Sequence, residues 1–178
     1  DDMHAVGHTA GKNGGGVNSR SSCQKMRKNV NADKKRKSKK SNAGRWMISM
    51  NHVERRDAQM AYISDESIFE EQAVCRKKLQ KLNFMDRSDF DGLGEAVKDL
   101  LGKSEGAFIN PPFYCDYGSH IEVGRNFFAN YNCMILDVAK VKIGDNCQMA
   151  PNVAIYTAGH PVHPVTRNSA YEYGREVT

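Results

Sequence analysis

The stretch VGRNFFANYNCMILDVAKVKIGDNCQMAPNVAIY, Val123 to Tyr156, carries a six-residue repeat. Aliphatic or small residues stand at Val123, Ala129 and Ile135. The register then slips by two residues, Val141 and Lys142, and resumes at Ile143, Met149 and Ile155. Four places after each first position come Phe127, Cys133, Ala139, Cys147, Val153 and Gly159, mostly small residues. A helix repeats its apolar residues at about 3.6 and a half-buried strand at 2, so a period of six fits neither alone. It fits short strands joined by tight turns, three to a coil, with about eighteen residues returning the chain to its starting face; such hexads mark the parallel β-helix. The large first-position side chain is expected to point inward, and the small fifth-position residue to sit at a corner. A β-sandwich with an accidental phase is the competing reading, and five consecutive hexads weigh against it.

Downstream, the repeat runs into Tyr156-Thr157-Ala158-Gly159-His160-Pro161-Val162-His163-Pro164 and stops. Residues 164–175 read as a polar loop excursion, and Glu176-Val177-Thr178 as re-entry into a strand. Upstream, Tyr117-Gly118 already stands in phase, and Asn110-Pro111-Pro112 sets an extended entry into the coil. Before that, residues 58–83 read as helical. Ser64-Asp65-Glu66 offers an N-cap with early negative charge, and Ile68, Phe69, Cys75, Leu79 and Leu82 form an apolar stripe. A second helix is expected from about Asp91 to Leu101 with Leu93, Val97, Leu100 and Leu101 inward, ended by Gly102. The chain therefore divides into a basic tail (1–57) expected to be disordered, a helical cap (58–107) and a mainly β coil (108–178).

The charge is segregated accordingly. Residues 1–57 hold fourteen Lys and Arg against five Asp and Glu, while residues 58–178 hold twelve against sixteen, so the overall +5 does not describe a basic folded surface. The run Lys34-Lys35-Arg36-Lys37-Ser38-Lys39-Lys40 admits nuclear targeting or nucleic-acid contact, but no aromatic residue interleaves with it, and a solvated tail is the favoured reading. Gly11-Lys12-Asn13-Gly14 lacks the order of a phosphate loop. Five cysteines with no CxxC pair point to reduced thiols acting as small hydrophobes. No apolar run of membrane-spanning length and no signal-peptide core are visible, and a cytoplasmic location is expected.

His160 is the leading chemical candidate. It stands between Gly159, which permits close approach, and Pro161, which stiffens the backbone. A histidine so held can serve as a general base, or simply as a structural loop residue; the pattern leaves both open. His163 lies three residues on, yet has no helical i,i+4 partner or Cys pair, and no metal is expected. His120 reads as a surface residue of the first coil. Asp65, Asp116, Asn130 and Asp137 are the polar residues best placed to orient a ligand. Asp65 competes as a helix cap and Asp137 as a turn cap.

Taken together, MAYISDES (Met60–Ser67), CRKKLQKLN (Cys75–Asn83), the segment Asn110–Asp137 with YCDYGS and FANYN, IGDNCQMAPNV (Ile143–Val153) and TAGHPVHP (Thr157–Pro164) resemble the maltose/galactoside O-acetyltransferases, hexapeptide acyltransferases that also include nodulation-type acetyltransferases. The resemblance covers about residues 58–178. It implies a left-handed parallel β-helix behind a short helical cap, a homotrimer with sites between subunits, and acetyl transfer from acetyl-CoA to a sugar hydroxyl. His160 matches the family's catalytic base, and Asp65, Asp116 and Asn130 match acceptor-contacting positions. The family carries further hexads that hold much of the acetyl-CoA groove, so the resemblance implies that most donor contacts lie beyond Thr178 and that the chain is truncated. A catalytically impaired trimeric scaffold is the alternative it leaves. Neither membrane nor nucleic acid is expected as a partner.

Overall fold

The computed structural model describes residues 50–178. The basic run at 34–40 and most of the expected tail lie outside them. Three helices open the described chain: α1 (His52–Asp57), α2 (Glu66–Asn83) and α3 (Phe90–Leu100). Nine short strands follow: β1 (Lys103–Glu105), β2 (Phe108–Ile109), β3 (Phe113–Cys115), β4 (Ile121–Arg125), β5 (Phe128–Ala129), β6 (Cys133–Leu136), β7 (Val141–Ile143), β8 (Gln148–Met149) and β9 (Ala154–Tyr156). They stack in three parallel faces, β1-β4-β7, β2-β5-β8 and β3-β6-β9. This is the parallel β-helix expected from the hexads, left-handed as the resemblance implied.

Each coil takes twenty residues rather than eighteen. Phe108 pairs with Phe128, Phe113 with Cys133, Ile121 with Val141 and Met134 with Ala154. In the coil that runs through it, the two-residue slip at Val141-Lys142 is the difference. It brings the first positions into register, Val123 with Ile143, Ala129 with Met149 and Ile135 with Ile155. Val123, Ala129 and Ile135 are buried, as alternation on a closed coil requires.

The corners use a residue that the sequence reading passed over. Asn126, Asn132, Asn146 and Asn152, each the fourth of its hexad, all adopt φ near +60°. Asn enters the left-handed region more readily than other residues with a Cβ, so it turns the chain between faces. Equivalent corners also bond to one another: Asn126 Nδ2 donates to Asn146 Oδ1 at 3.0 Å, and Arg125 pairs with Asp145 at 2.7 Å.

The cap closes the end of the coil. Leu79 and Leu82 of α2 and Leu93, Val97 and Leu100 of α3 join Ile109, Phe113, Ile121 and Ile135 in one core. Asn83 makes the junction. Its side chain donates to Phe113 O and accepts from Phe113 N, both at 2.9 Å, in the manner of a neighbouring strand. Asn83→Ala would strand both backbone groups and is expected to cost about 2 kcal/mol in chemical denaturation.

Three boundaries differ from the sequence reading. Residues 51–57 belong to the fold: Asn51 and Glu54 form a capping box for α1, and Arg56 is only 2% exposed. Residues 58–59 turn out of α1 and 60–65 are irregular rather than helical, with Tyr62 in an isolated antiparallel bridge to Glu172. The coil begins at Lys103, not residue 108, since β1 pairs with β4. The polar side chains of β1 hid it. Among the described residues no helix is long and apolar enough to cross a membrane.

Candidate active site

His160 follows β10 (Ala158–Gly159), which leaves the coil and pairs antiparallel with β11 (Tyr173–Gly174). Between them lies the expected excursion, which includes the short helix α4 (Pro164–Asn168). Buried Thr157 anchors the departure: its Oγ1 donates to Leu136 O at 2.7 Å and accepts from Ala139 N at 2.9 Å. Gly159 is required here, because a Cβ would sit 2.5 Å from the Tyr173 ring. The close approach expected at this glycine is thus made by an aromatic ring. His160 itself is exposed, and among the described residues no hydrogen bond or ion pair engages its ring. His163 is the N-cap of α4 and makes no side-chain cap bond.

A second group of polar residues gathers where the cap meets the first coil. Arg56 stacks over the Tyr117 ring at 4.5 Å and pairs with Glu71 at 2.5 Å and Asp57 at 2.7 Å. Gln72 Nε2 donates to the Tyr117 hydroxyl at 3.4 Å. Asp137 is 0% exposed, and its Oδ1 accepts from the backbone N–H of both Asp116 and Tyr117 at 2.9 Å, so it caps this turn as expected. Its Oδ2 has no hydrogen-bond partner. His120 is half-buried rather than a surface residue: Nδ1 lies 2.7 Å from Asp137 O and its ring stacks on Tyr117. Cys75 and Cys115 face each other across the junction as free thiols, 3.6 Å apart.

Asp116 lies in this group, half-buried. Burial, reinforced by the charges of Asp137 and Glu172 and opposed by Arg76, pushes its carboxyl up from 3.8 to about 6. The folded state therefore holds the proton more tightly than the unfolded chain. The resulting stability is fully present below about pH 4 and is lost as pH rises through about 6. Asp116→Asn is accordingly expected to melt above the parent at pH 7–8, by about 1 kcal/mol once solvent screening is allowed for, and to lose that advantage near pH 4. Thermal melts across this range read the crossover directly.

Asp65 caps α2, with Oδ1 accepting from Ile68 N at 3.3 Å and from Ser67 Oγ at 2.6 Å. Its neighbour Ser64 bonds Glu172 at 3.4 Å. Asn130 closes β5 and turns its Oδ1 to Tyr131 N at 2.8 Å. The fold thus gathers Asp116 with Tyr117, Tyr62 and Glu172 beside the Ser64-Asp65 cap. Among the described residues no hydrogen bond links His160 or Asn130 to that group. Arg56, Tyr62 and Glu172 were not singled out from sequence. The Asn51-x-x-Glu54 pattern is the readable signal for the helix that carries Arg56; nothing local marks Glu172.

Three comparisons bear on this arrangement. A maltose O-acetyltransferase from Clostridium difficile 630 superposes with a TM-score of 0.70 at 38% identity, covering 72% of this chain and 70% of that one. A galactoside acetyltransferase solved in complex with coenzyme A superposes with a TM-score of 0.69 at 33% identity, covering 73% and 66%. Nodulation protein L of Rhizobium meliloti is 48% identical over 87 residues, 49% of this chain and 44% of its own length. The chain spans about half the length of the curated relatives it matches. No protein-family model matches it.

Proposed function

The chain belongs to the maltose/galactoside O-acetyltransferase family of hexapeptide-repeat proteins, and from that premise we propose that it serves acetyl transfer from acetyl-CoA to a hydroxyl of a sugar. The observation that carries this reading is His160, an exposed imidazole with no competing partner among the described residues, fixed by Gly159 against the Tyr173 ring and by Pro161 behind it.

A sugar hydroxyl is a weak nucleophile at neutral pH. His160 takes its proton as the oxygen attacks the thioester carbonyl. A C–O bond forms, the C–S bond breaks, and the imidazolium returns the proton to the departing CoA thiolate. A backbone N–H aimed at the developing oxyanion would contribute about 10²–10³ in rate. No cysteine or serine nucleophile is needed, so transfer is direct. Asp65, Asp116 and Asn130 contact the acceptor; with a carboxyl near 6, Asp116 is largely ionised at neutral pH and accepts bonds from sugar hydroxyls.

A homotrimer in which sites form between neighbouring subunits goes with this reading. A cytoplasmic location goes with acetyl-CoA as donor. The galactoside acetyltransferase neighbour, solved with coenzyme A, supports the donor assignment.

The test is incubation with acetyl-CoA and a panel of mono- and disaccharides, reading released CoA thiol together with acetylated sugar by mass spectrometry. Sugar-dependent release with matching product is the expected result. A chain that shows neither acetyl-CoA binding nor transfer would overturn the proposal in favour of a scaffold.

A further inference from the structure

The excursion between His160 and Val177 leaves the coil and is fastened back at four consecutive residues, 172–175. Glu172 exchanges both backbone hydrogen bonds with Tyr62, each 2.9 Å. Its carboxylate adds two side-chain contacts to the same stretch: Oε2 accepts from the Tyr62 hydroxyl at 3.1 Å and Oε1 from Ser64 Oγ at 3.4 Å. Tyr62 is buried, with Ile68, Tyr117 and Val138 around it. Next, Tyr173 and Gly174 pair with Gly159 and Ala158, the strand that delivers His160. Gly174 also packs against the coil so closely that a Cβ would stand 2.8 Å from that of Ala139. Arg175 N then donates to Thr157 O at 2.9 Å.

We propose that Glu172 is a positioning residue: its carboxylate latches the 160–175 excursion to the cap segment Tyr62–Ser64, and through the β10-β11 pair fixes where His160 stands. The effect on catalysis rests on the reading of His160 as the base; the latch itself does not.

Its test uses the full chain and three variants. Glu172→Ala removes the carboxylate, Tyr62→Phe removes only the hydroxyl and keeps the buried ring, and Glu172→Gln keeps one acceptor. Amide hydrogen exchange is the first readout. Backbone amides at 157–160 and 173–175 are expected to exchange about tenfold faster in Glu172→Ala, severalfold faster in Tyr62→Phe, and near the parental rate in Glu172→Gln, with the α2 and α3 amides unchanged. Because the two residues share one bond, the double variant should exchange no faster than Glu172→Ala. Unaltered exchange at 157–160 in both Glu172→Ala and Tyr62→Phe would overturn the latch, and so would acceleration spread evenly over the cap. The second readout is the kinetic split. Glu172→Ala should lower kcat at least tenfold with KM for acetyl-CoA unchanged, and Glu172→Gln should recover most of it. A parent that transfers no acetyl group defeats the proposed activity and leaves the exchange result to decide the latch.

Discussion

His160→Ala is expected to lower acetyl transfer by about two to four orders of magnitude, the usual contribution of a positioned general base. The same variant should unfold within about 0.5 kcal/mol of the parent, because the ring is exposed and engages no other described residue. That combination is what separates a catalytic histidine from a structural one. A loop histidine making a single hydrogen bond would, when removed, cost stability and leave the rate nearly intact. Added imidazole should restore part of the rate by occupying the vacated space and accepting the hydroxyl proton. Intact-mass measurement during turnover should find no acetylated protein, as the proposed direct transfer requires. Full rate in His160→Ala would remove the base assignment and with it the mechanism.

The second large effect is structural. Phe113→Ala is expected to cost about 3–5 kcal/mol, the range for emptying a fully buried aromatic site. Phe113 is 0% exposed, lies on β3 in register with Cys133, and has both backbone groups held by Asn83. Neither the coil below nor α2 above can collapse into the space easily, because parallel pairing fixes one and the Asn83 clamp fixes the other. Against a total stability of about 5–15 kcal/mol, a loss of this size lowers the melting temperature by roughly 6–20 °C. Phe84, one residue past α2, is 84% exposed and supplies the control: Phe84→Ala should change stability by less than about 0.5 kcal/mol. Equal costs for the two substitutions in denaturant unfolding would show that the junction is not where the core closes.

What could be read from sequence was what is local or periodic. The hexads predicted the three faces, and the slip at Val141-Lys142, which looks like a flaw in the repeat, is what lets the coil that contains it close at twenty residues. Asp65 as a cap was visible because its partners are two and three residues away. The four corner asparagines were equally visible and went unread, since attention to apolar spacing ignores the fourth position. Arg56 falls in the expected tail because residues 1–57 match nothing in the family that the rest of the chain resembles. Its burial depends on Glu71 and on the Tyr117 ring, which only the fold brings to it. The environment of Asp116 is assembled from Asp137, one coil later, and Glu172, on the excursion. No window of sequence contains all three, so its shifted carboxyl could not be foreseen.

The twenty-residue closure has a geometric consequence for how this chain tolerates length change. Strands one coil apart lie about 4.8 Å apart along the axis, so twenty positions of sequence convert into one graduation of height at constant azimuth. Adding or removing a complete coil between Val123 and Tyr156 would raise or lower everything that follows and keep it on the same side. A shorter insertion kept within the strands and corners would turn the downstream chain about the axis like a misthreaded screw, whereas one looped out at a corner, as residues 160–175 are before Val177 rejoins Val141, leaves the facing unchanged.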